Sequence, residues 1–336
     1  FYASVQEAER GESSLVMSLN GLWKFAFARR EQDRIAGFEA ADFDCTGWAD
    51  ISVPGHPELA GYGVPQYANV QYPWDGHENV AYGSAPKFDN PIGSYVRYFT
   101  LPKAFAGRRV MISFQGVQTS FAVWLNGVFI GYGEDSFTPS EFELTGALKA
   151  GENKLAVLVY KYSSAAWLED QDYWRLSGIF REVFVHACPE AHLADMSVRT
   201  LLSDDFAEGT LELALEVMSG STETENEKER TAADSGQVEA GGKSAMQAGG
   251  KSGKKTVEDG KDAAGGKRTL PDFELTGALY DAGGKQVLAL DTAGRKAKKE
   301  KREDGEPVAE LSLSAKLAGK ALQLWSAEKP YLYRLE

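Results

Sequence analysis

The sequence predicts an all-β protein, and three observations support that prediction. Between about Ser18 and Val185, short apolar or alternating runs recur, and turn-forming Gly, Asn, Pro and Asp residues separate them, as in sandwiches and barrels. The pair Asn126-Gly127 joins two of these runs, and both residue types tolerate the positive φ of a hairpin turn. The strand pattern then restarts beyond residue 189, which indicates a second β domain.

The first domain shows six clear strand-like runs. Each run is short and rich in β-branched and aromatic residues, which favour strands over helices. We therefore predict a β-sandwich or barrel over residues 17–188, preceded by an extended segment over residues 1–16. In chain order the runs are GLWKFAFA, SYVRYFTL, RVMISFQGV, SFAVWLNGVFIGYG, NKLAVLVYKYS and IFREVFVHA.

The second domain is predicted over residues 189–336. Leu211, Leu213 and Leu215 alternate with other residues, which gives one strand a buried face. Residues 219–270 interrupt this pattern with a low-complexity stretch that repeats AGGK and has almost no large apolar side chain. Such a stretch buries too little surface to offset the entropy lost on ordering, so we expect a disordered insertion.

Charge and composition argue against several classes of function. The 336 residues include 36 Lys and Arg and 49 Asp and Glu, which gives a net charge of -13. This negative charge disfavours a nucleic-acid partner. We expect no membrane span, because no run of about 18 apolar residues is present. The only cysteines, Cys45 and Cys188, form neither a disulfide framework nor a CxxC site, which favours a reducing, cytoplasmic location. None of the four histidines lies at a zinc-ligand spacing.

The first candidate site is the stretch WLEDQDYWRLSGIFREV, residues 167–183. Its acidic residues Glu169, Asp170 and Asp172 lie close together, and such groups raise one another's pKa unless cations or hydroxyl donors compensate. Arg175 is near enough in sequence to compensate. The stretch therefore carries a concentration of charge that needs either an internal partner or a ligand.

Two interpretations of this acidic cluster stay open. It is either an ion-paired turn with Trp167 and Trp174 in the core, or a sugar site. In a sugar site the carboxylates accept bonds from hydroxyl groups while an aromatic ring packs against the C–H surface of a pyranose. Hard oxygen ligands also suit an alkali or alkaline-earth cation.

The second candidate site is the stretch GYGVPQYANVQYPWDGHENV, residues 61–80, in which aromatic residues surround Asn69. It is either a proline-pinned surface loop or a ligand-binding loop. The four aromatic residues are Tyr62, Tyr67, Tyr72 and Trp74.

Three blocks carry a resemblance to a known family. GYGVPQYANVQYPWDG, GVQTSFAVWLNGVFIGYGEDSFTPSEFELT and WLEDQDYWRLSGIFREVFV occur in this order, and they resemble the N-terminal sugar-binding domain of glycoside hydrolase family 2 β-galactosidases. The match runs from about Leu19 to Val185, and it continues through the next domain to LWSAEKPYLYRL. The resemblance implies a jelly-roll sandwich followed by an immunoglobulin-like sandwich, and then an α/β barrel that is absent from this chain.

The resemblance also implies an activity and site residues. The parent enzyme would be a β-galactosidase that hydrolyses terminal β-D-galactosides such as lactose with retention, and its catalytic glutamates would lie in the barrel, so no catalytic residue is assigned here. Asn69 matches a sugar-side asparagine, and Asp172 matches an aspartate that contacts the galactosyl hydroxyls and a bound sodium ion. Glu169, Asp170 and Arg175 would hold the loop in place.

Further expectations follow from the same resemblance. Magnesium is possible in the parent enzyme, with ligands outside this chain. The expected partners are a β-galactoside substrate, the remaining domains of the enzyme and further copies in a homo-oligomer. Tyr173 and Leu176 stand where the family commonly has methionines. The alternative functions are a non-catalytic carbohydrate-binding module and a subunit-assembly module.

Overall fold

The structure is a computed structural model in which strands dominate, so the all-β prediction is confirmed. The chain divides into two units, Phe1–Cys188 and Pro189–Glu336. The predicted insertion at 219–270 falls almost wholly outside the described residues. These residues are 2–220, 270, 273, 275, 277–290, 298–301, 306–324, 326–328 and 331–335.

The first unit has fourteen described strands. They are β1 Val16–Ser18, β2 Gly21–Ala28, β3 Ala49–Val53, β4 Gln66–Ala68, β5 Ile92–Thr100, β6 Val110–Phe114, β7 Val117–Gln118, β8 Ser120–Leu125, β9 Val128–Glu134, β10 Ser140–Glu143, β11 Glu152–Tyr160, β12 Tyr173–Arg175, β13 Gly178–Ile179 and β14 Val183–Ala187. Five 3₁₀ turns connect them, at Glu31–Asp33, Pro57–Ala60, Lys103–Phe105, Thr145–Ala147 and Ser164–Trp167.

Two antiparallel sheets form the sandwich of the first unit. The larger has the order β3-β2-β5-β11-β8-β9, and the smaller has the order β1-β14-β6-β10. Apolar side chains from both sheets fill the space between them, among them Trp23 and Tyr95 from one sheet and Phe114 and Val185 from the other. This is the jelly-roll sandwich that the resemblance implied. Two short ribbons, β4 with β12 and β7 with β13, lie outside these sheets.

The central strand β11 is buried on both faces. Leu155 and Val157 face the core between the sheets, whereas Ala156 packs in a second cluster with Phe38. Lys154 ties down the loop that covers this second cluster, because its Nζ donates to the carbonyl oxygen of Phe38 at 3.0 Å and to two more carbonyls nearby. A continuous apolar run in the sequence therefore reflects burial on two sides.

Two local predictions have different outcomes. The hairpin is confirmed, because β8 and β9 pair around Asn126 and Gly127, whose φ angles are 53° and 86°.

The prediction of an extended segment over residues 1–16 is wrong where the helix α1 forms, at Val5–Arg10. Ser4 accepts a hydrogen bond from the first turn of this helix, and Gly11 ends it at a φ of 69°, so the two caps stabilise six residues that have no strand partner.

The second unit contains two further antiparallel sheets among its described residues, with the orders β15-β16-β20-β19 and β18-β17-β21. Leu211, Leu213 and Leu215 share one buried face of β16, as the alternation predicted. This pair of sheets fits an immunoglobulin-like sandwich. Its strands and its 3₁₀ turn are β15 Ala191–Leu202, β16 Glu208–Ser219, β17 Gly277–Tyr280, β18 Gln286–Leu290, β19 Lys298–Lys301, β20 Pro307–Ala318, β21 Arg334–Leu335 and the turn Gly319–Ala321.

Candidate functional site

The candidate site is built on the two-stranded ribbon of β4 and β12, called here the ribbon. Its antiparallel register places Tyr67 opposite Trp174 and Ala68 opposite Tyr173. Because successive strand residues point to opposite faces, Tyr67 and Trp174 share one face, called the outer face. Ala68, Tyr173 and Arg175 share the other, called the inner face. The exposed fractions agree, since Tyr67 is 53% and Trp174 57% exposed whereas Arg175 is 4% exposed.

Asn69 and Asp172 occupy the open end of the ribbon. Each is the next residue beyond the last pair in the register, Asn69 after β4 and Asp172 before β12. Both side chains are exposed. The structure therefore brings together the two residues that the sequence analysis selected from separate stretches of the chain. Their contact with a sugar stays a prediction.

The outer face carries a polar contact beside an aromatic one. Tyr67 Oη donates a hydrogen bond to Asp172 Oδ1 at 2.6 Å, and the rings of Tyr67 and Trp174 lie 5.7 Å apart between centroids. The hydrogen bond to Asp172 is the main cause that raises the pKa of Tyr67, with desolvation and the charge of Asp172 adding to it. Tyr67 therefore stays protonated and remains a donor.

The inner face is anchored by Arg175. Its Nη2 donates to the Gln171 carbonyl oxygen at 2.7 Å and to the Ala68 carbonyl oxygen at 3.2 Å, and it forms a close ion pair with Asp170. The guanidinium also lies 4.3 Å from the centroid of the Tyr173 ring. Partial burial raises the pKa of the Asp170 carboxyl, although the Arg175 charge opposes that shift. One cation thus joins both strands to the loop before β12.

Glu169 holds the same loop from a different side. Its Oε1 accepts from the Ser136 backbone N–H at 2.7 Å, and its Oε2 accepts from the Ser136 hydroxyl at 2.6 Å. Glu169 and Asp170 therefore have protein partners that hold the loop. Of the three acids in the cluster, Asp172 is the one that faces the open end of the ribbon.

The interpretation of the cluster as an ion-paired turn is partly right. Asp170 does pair with Arg175, and Trp167 packs in an aromatic cluster, with its ring centroid 4.4 Å from that of Tyr72 and 5.0 Å from that of Trp74. Trp174, however, is not in the core. Its place on the outer face follows from the pleat, because Arg175 next to it takes the inward position.

Three of the four aromatic residues around Asn69 are structural. Tyr72 and Trp74 stack at 5.3 Å in the aromatic cluster, and Tyr62 packs on the Phe25 ring at 4.8 Å. Tyr67 alone of the four lies on the outer face of the ribbon.

The departures from the family pattern at Tyr173 and Leu176 concern the packing beneath the ribbon, because both side chains line a void there of about 10 Å³.

A buried ion pair beneath the ribbon was missed by sequence reasoning. Lys161 Nζ donates to Glu58 Oε1 at 2.8 Å, and the two side chains are 4% and 2% exposed. The same carboxylate accepts from the Ser177 hydroxyl at 2.8 Å and from the Ser177 N–H at 3.0 Å. Because Ser177 lies two residues after Arg175, this pair fixes the chain where it leaves β12. The available signal was Lys161 at the end of the apolar run of β11.

A cleft of about 720 Å³ lies on the other side of Gln66, away from Asn69 and Asp172. Two of its polar side chains already have partners in the protein. Gln66 accepts from the Tyr162 hydroxyl at 3.1 Å, and Glu78 accepts from two backbone N–H groups at 2.8 to 3.0 Å. We therefore place the candidate site on the ribbon, whose polar groups face outward, and not in this cleft.

Asp172 fits part of a site for a hard cation. A carboxylate oxygen is the ligand type that alkali and alkaline-earth ions prefer, and within the described part of the chain Asp172 Oδ2 accepts no hydrogen bond. The described residues contain no cluster of three or more His, Cys, Asp or Glu able to hold a metal ion. Asp172 would therefore share a bound cation with oxygen atoms from a ligand or from other parts of the protein.

The fold and the ribbon define a class of protein, namely a β-sandwich module with an exposed polar and aromatic surface. The comparison with protein families is more specific. Residues 16–189 match the family model described as "Glycosyl hydrolases family 2, sugar binding domain". The chain belongs to glycosyl hydrolase family 2.

Curated relatives agree with this family. The chain is 51% identical over 218 residues to a β-galactosidase of Halalkalibacterium halodurans, covering 65% of this chain and 22% of that protein. It is 44% identical over 229 residues to the β-galactosidase large subunit of Leuconostoc lactis, covering 65% of this chain and 36% of that protein. The chain thus spans about a fifth to a third of the length of these relatives.

Solved structures share the fold. Bacteroides uniformis β-glucuronidase 2 matches with a TM-score of 0.60 and 18% identity, covering 95% of this chain and 30% of that one. A family 2 glycosyl hydrolase from Bacteroides cellulosilyticus matches with a TM-score of 0.54 and 17% identity, covering 96% of this chain and 32% of that one.

Among the described residues no helix has the length and apolar character required to cross a membrane.

Proposed function

We propose that the chain is the N-terminal part of a retaining β-galactosidase that hydrolyses terminal β-D-galactosides such as lactose. In this proposal the open end of the ribbon is one wall of the galactose pocket. The observation that carries it is the position of Asn69 and Asp172, side by side and exposed at the end of the ribbon. The curated relatives named β-galactosidase support the choice of activity.

The chemistry of the wall suits a galactosyl group. Asp172 as a carboxylate accepts hydrogen bonds from sugar hydroxyls, and the Asn69 amide both donates and accepts. A charge-assisted bond strengthens when its partner hydroxyl becomes more acidic in the transition state, so Asp172 would lower the barrier without taking part in bond cleavage. Retaining hydrolysis needs two carboxyl groups about 5 to 5.5 Å apart across one sugar, and we assign both to parts of the enzyme outside this chain.

A sodium ion would extend this wall. Asp172 would supply one of its oxygen ligands, and a galactosyl hydroxyl would supply another, so that the cation would fix the sugar against the ribbon. Magnesium in the parent enzyme stays a proposal with ligands outside this chain. The chain's own residues in this arrangement are Asp172 as acceptor, Asn69 as sugar contact and Arg175 as the anchor of both strands.

The proposed enzyme works as part of a larger assembly. Several relatives carry the name β-galactosidase large subunit, which supports assembly of this chain with further domains or subunits. A homo-oligomer of the full-length enzyme is part of the proposal. A cytoplasmic location is in keeping with the two buried thiols of Cys45 and Cys188. Burial raises the pKa of Cys188 to about 11, so this thiol stays protonated and unreactive near neutral pH.

The test is Asp172→Ala in the full-length enzyme that contains this chain. The loss of one charge-assisted contact in the transition state should lower kcat/KM for a chromogenic β-galactoside by about ten- to a hundredfold. The matched control is Gln171→Ala, the exposed neighbour, whose carbonyl bond to Arg175 the substitution keeps. Unchanged kinetics for Asp172→Ala would show that the open end of the ribbon is not a wall of the galactose pocket. Loss of the oligomer with intact turnover would favour the assembly module.

A further inference from the structure

We propose that Tyr67 is a positioning residue that orients the Asp172 carboxylate toward the ligand. The inference rests on the proposed function and assigns Tyr67 a role in it. Tyr67 is the residue before Ala68 on β4, and it reaches across the ribbon to Asp172 on the outer face. It would act through Asp172 and not by contact with the reacting atoms.

The first argument is the position of the hydrogen bond. Tyr67 Oη and Asp172 Oδ1 lie 2.6 Å apart, the distance expected when a hydroxyl donates to a carboxylate. Both residues are exposed, and hydrogen bonds that water can replace contribute little to folding. A bond at this exposed place therefore has little value for stability, whereas its direction decides where the carboxylate points.

The second argument is that Tyr67 is itself held in place. Trp174 lies directly opposite Tyr67 in the register, and the two rings pack at 5.7 Å with an angle of 51° between their planes. Cross-strand aromatic pairs of this kind restrict each other's rotamers. The ring contact with Trp174 thus holds the Tyr67 ring where its hydroxyl meets Asp172, and on the inner face the bonds of Arg175 to Ala68 and Gln171 hold the backbone of the ribbon.

The third argument is that the two carboxylate oxygens of Asp172 differ in their hydrogen bonding. Oδ1 accepts from Tyr67, and Oδ2 accepts no hydrogen bond within the described residues. With one oxygen engaged, rotation of the carboxylate about its terminal torsion is limited, and the other oxygen keeps one direction. A pre-oriented acceptor loses less entropy when a galactosyl hydroxyl or a sodium ion binds, which is how positioning increases affinity and rate.

The test begins with Tyr67→Phe in the full-length enzyme, which keeps the ring on Trp174 and removes the hydroxyl. We expect kcat/KM for a chromogenic β-galactoside to fall about five- to tenfold, the loss typical of one oriented hydrogen bond. The control is Tyr132→Phe, because Tyr132 is also exposed and donates to a carboxylate, Glu134 Oε2 at 2.9 Å. Both variants should keep the thermal midpoint of wild type, and only Tyr67→Phe should lose turnover.

A double-mutant cycle then decides how Tyr67 acts. If Tyr67 works through Asp172, Tyr67→Phe should cost nothing further in the Asp172→Ala background. Additive losses would overturn the inference, because they would mean that Tyr67 meets the ligand on its own. Wild-type kinetics for Tyr67→Phe beside an impaired Asp172→Ala would overturn it while leaving the proposed function intact. Wild-type kinetics for Asp172→Ala would reject the proposed function and the inference together.

Discussion

The two faces of the ribbon differ in how their charges are satisfied. On the inner side, Arg175 has three protein acceptors and is 4% exposed, and below it the Lys161–Glu58 pair is nearly inaccessible to water. On the outer side, among the described residues, Asp172 has a single donor and Asn69 accepts one bond from its neighbour Val70. Two strands of three residues each therefore carry charges with protein partners on one face and open polar groups on the other.

This difference separates folding from recognition. Buried charges without partners are costly, so the inner groups are paired and fix the path of the chain. Exposed groups cost little when they lack protein partners, because water solvates them until a ligand arrives. The inner face should therefore respond to substitution mainly in stability, and the outer face mainly in ligand binding. Four predictions test this contrast, from the largest effect to the smallest.

The largest effect is expected from Lys161→Ala. The substitution leaves the buried Glu58 carboxylate without its cation, and breaking a buried ion pair in this way typically lowers the free energy of unfolding by about 3 to 5 kcal/mol. Urea unfolding followed by tryptophan fluorescence measures the loss. The control is Lys24→Ala, which breaks the more exposed pair with Asp50 at 3.0 Å and should cost about 1 kcal/mol or less. Equal losses for the two variants would contradict the contrast.

Next comes Arg175→Met, which keeps the length of the side chain and removes its donors. Asp170 and two carbonyl oxygens lose this donor, so we expect about 3 kcal/mol less stability by urea unfolding, together with faster amide exchange at Ala68. Arg199→Met is the control, because Arg199 pairs with Glu212 at 3.6 Å while 69% of its side chain is exposed. That variant should stay within about 0.5 kcal/mol of wild type. A stable Arg175→Met protein with slow exchange would show that the ribbon does not need this anchor.

A smaller effect, of a different kind, is expected from Asn69→Ala. Its unfolding free energy should stay within about 0.5 kcal/mol of wild type, because the side chain is exposed. In the full-length enzyme, kcat/KM for a β-galactoside should fall about tenfold through loss of one sugar contact. Gln71→Ala, an exposed amide two residues on, should match wild type in both measurements. Lost stability with normal kinetics would show that Asn69 stabilises the fold and does not contact the sugar.

The smallest effect is expected when sodium is replaced by a bulky organic cation at constant ionic strength. Wild-type enzyme should bind a β-galactoside inhibitor more weakly, because Asp172 then lacks its shared cation. Asp172→Ala should show no response, since it has no carboxylate to hold the ion. Titration calorimetry with and without sodium measures both constants. A sodium response that persists in Asp172→Ala would show that the sodium ion does not bind at Asp172.

Local patterns in the sequence predict local structure well in this chain. The hairpin at Asn126-Gly127 and the buried face of β16 both follow from residues that are neighbours in sequence, and both are confirmed. The extended N-terminal segment was wrong because the cap residues Ser4 and Gly11 outweighed the absence of an apolar period over six residues.

The ribbon is a different case, because its pairing joins strands far apart in the chain. β4 and β12 have three residues each, too short for a period of two to stand out, so the resemblance and not the pattern selected Asn69 and Asp172. Trp174 was open to placement in the core because its apolar ring suggests burial, and only the register shows that Arg175 takes the inward position. For the Lys161–Glu58 pair the sequence shows a lysine at the end of an apolar run, but its partner lies 103 positions away and only the folded chain identifies it.

The most direct test of the central claim is a crystal structure of the full-length enzyme with galactose bound. The account predicts a galactosyl hydroxyl within about 2.5 to 3.2 Å of an Asp172 carboxylate oxygen, with the Asn69 amide at the same sugar and the Tyr67 hydroxyl still bonded to Asp172. Galactose bound elsewhere, with the outer face of the ribbon covered by another part of the protein, would contradict it.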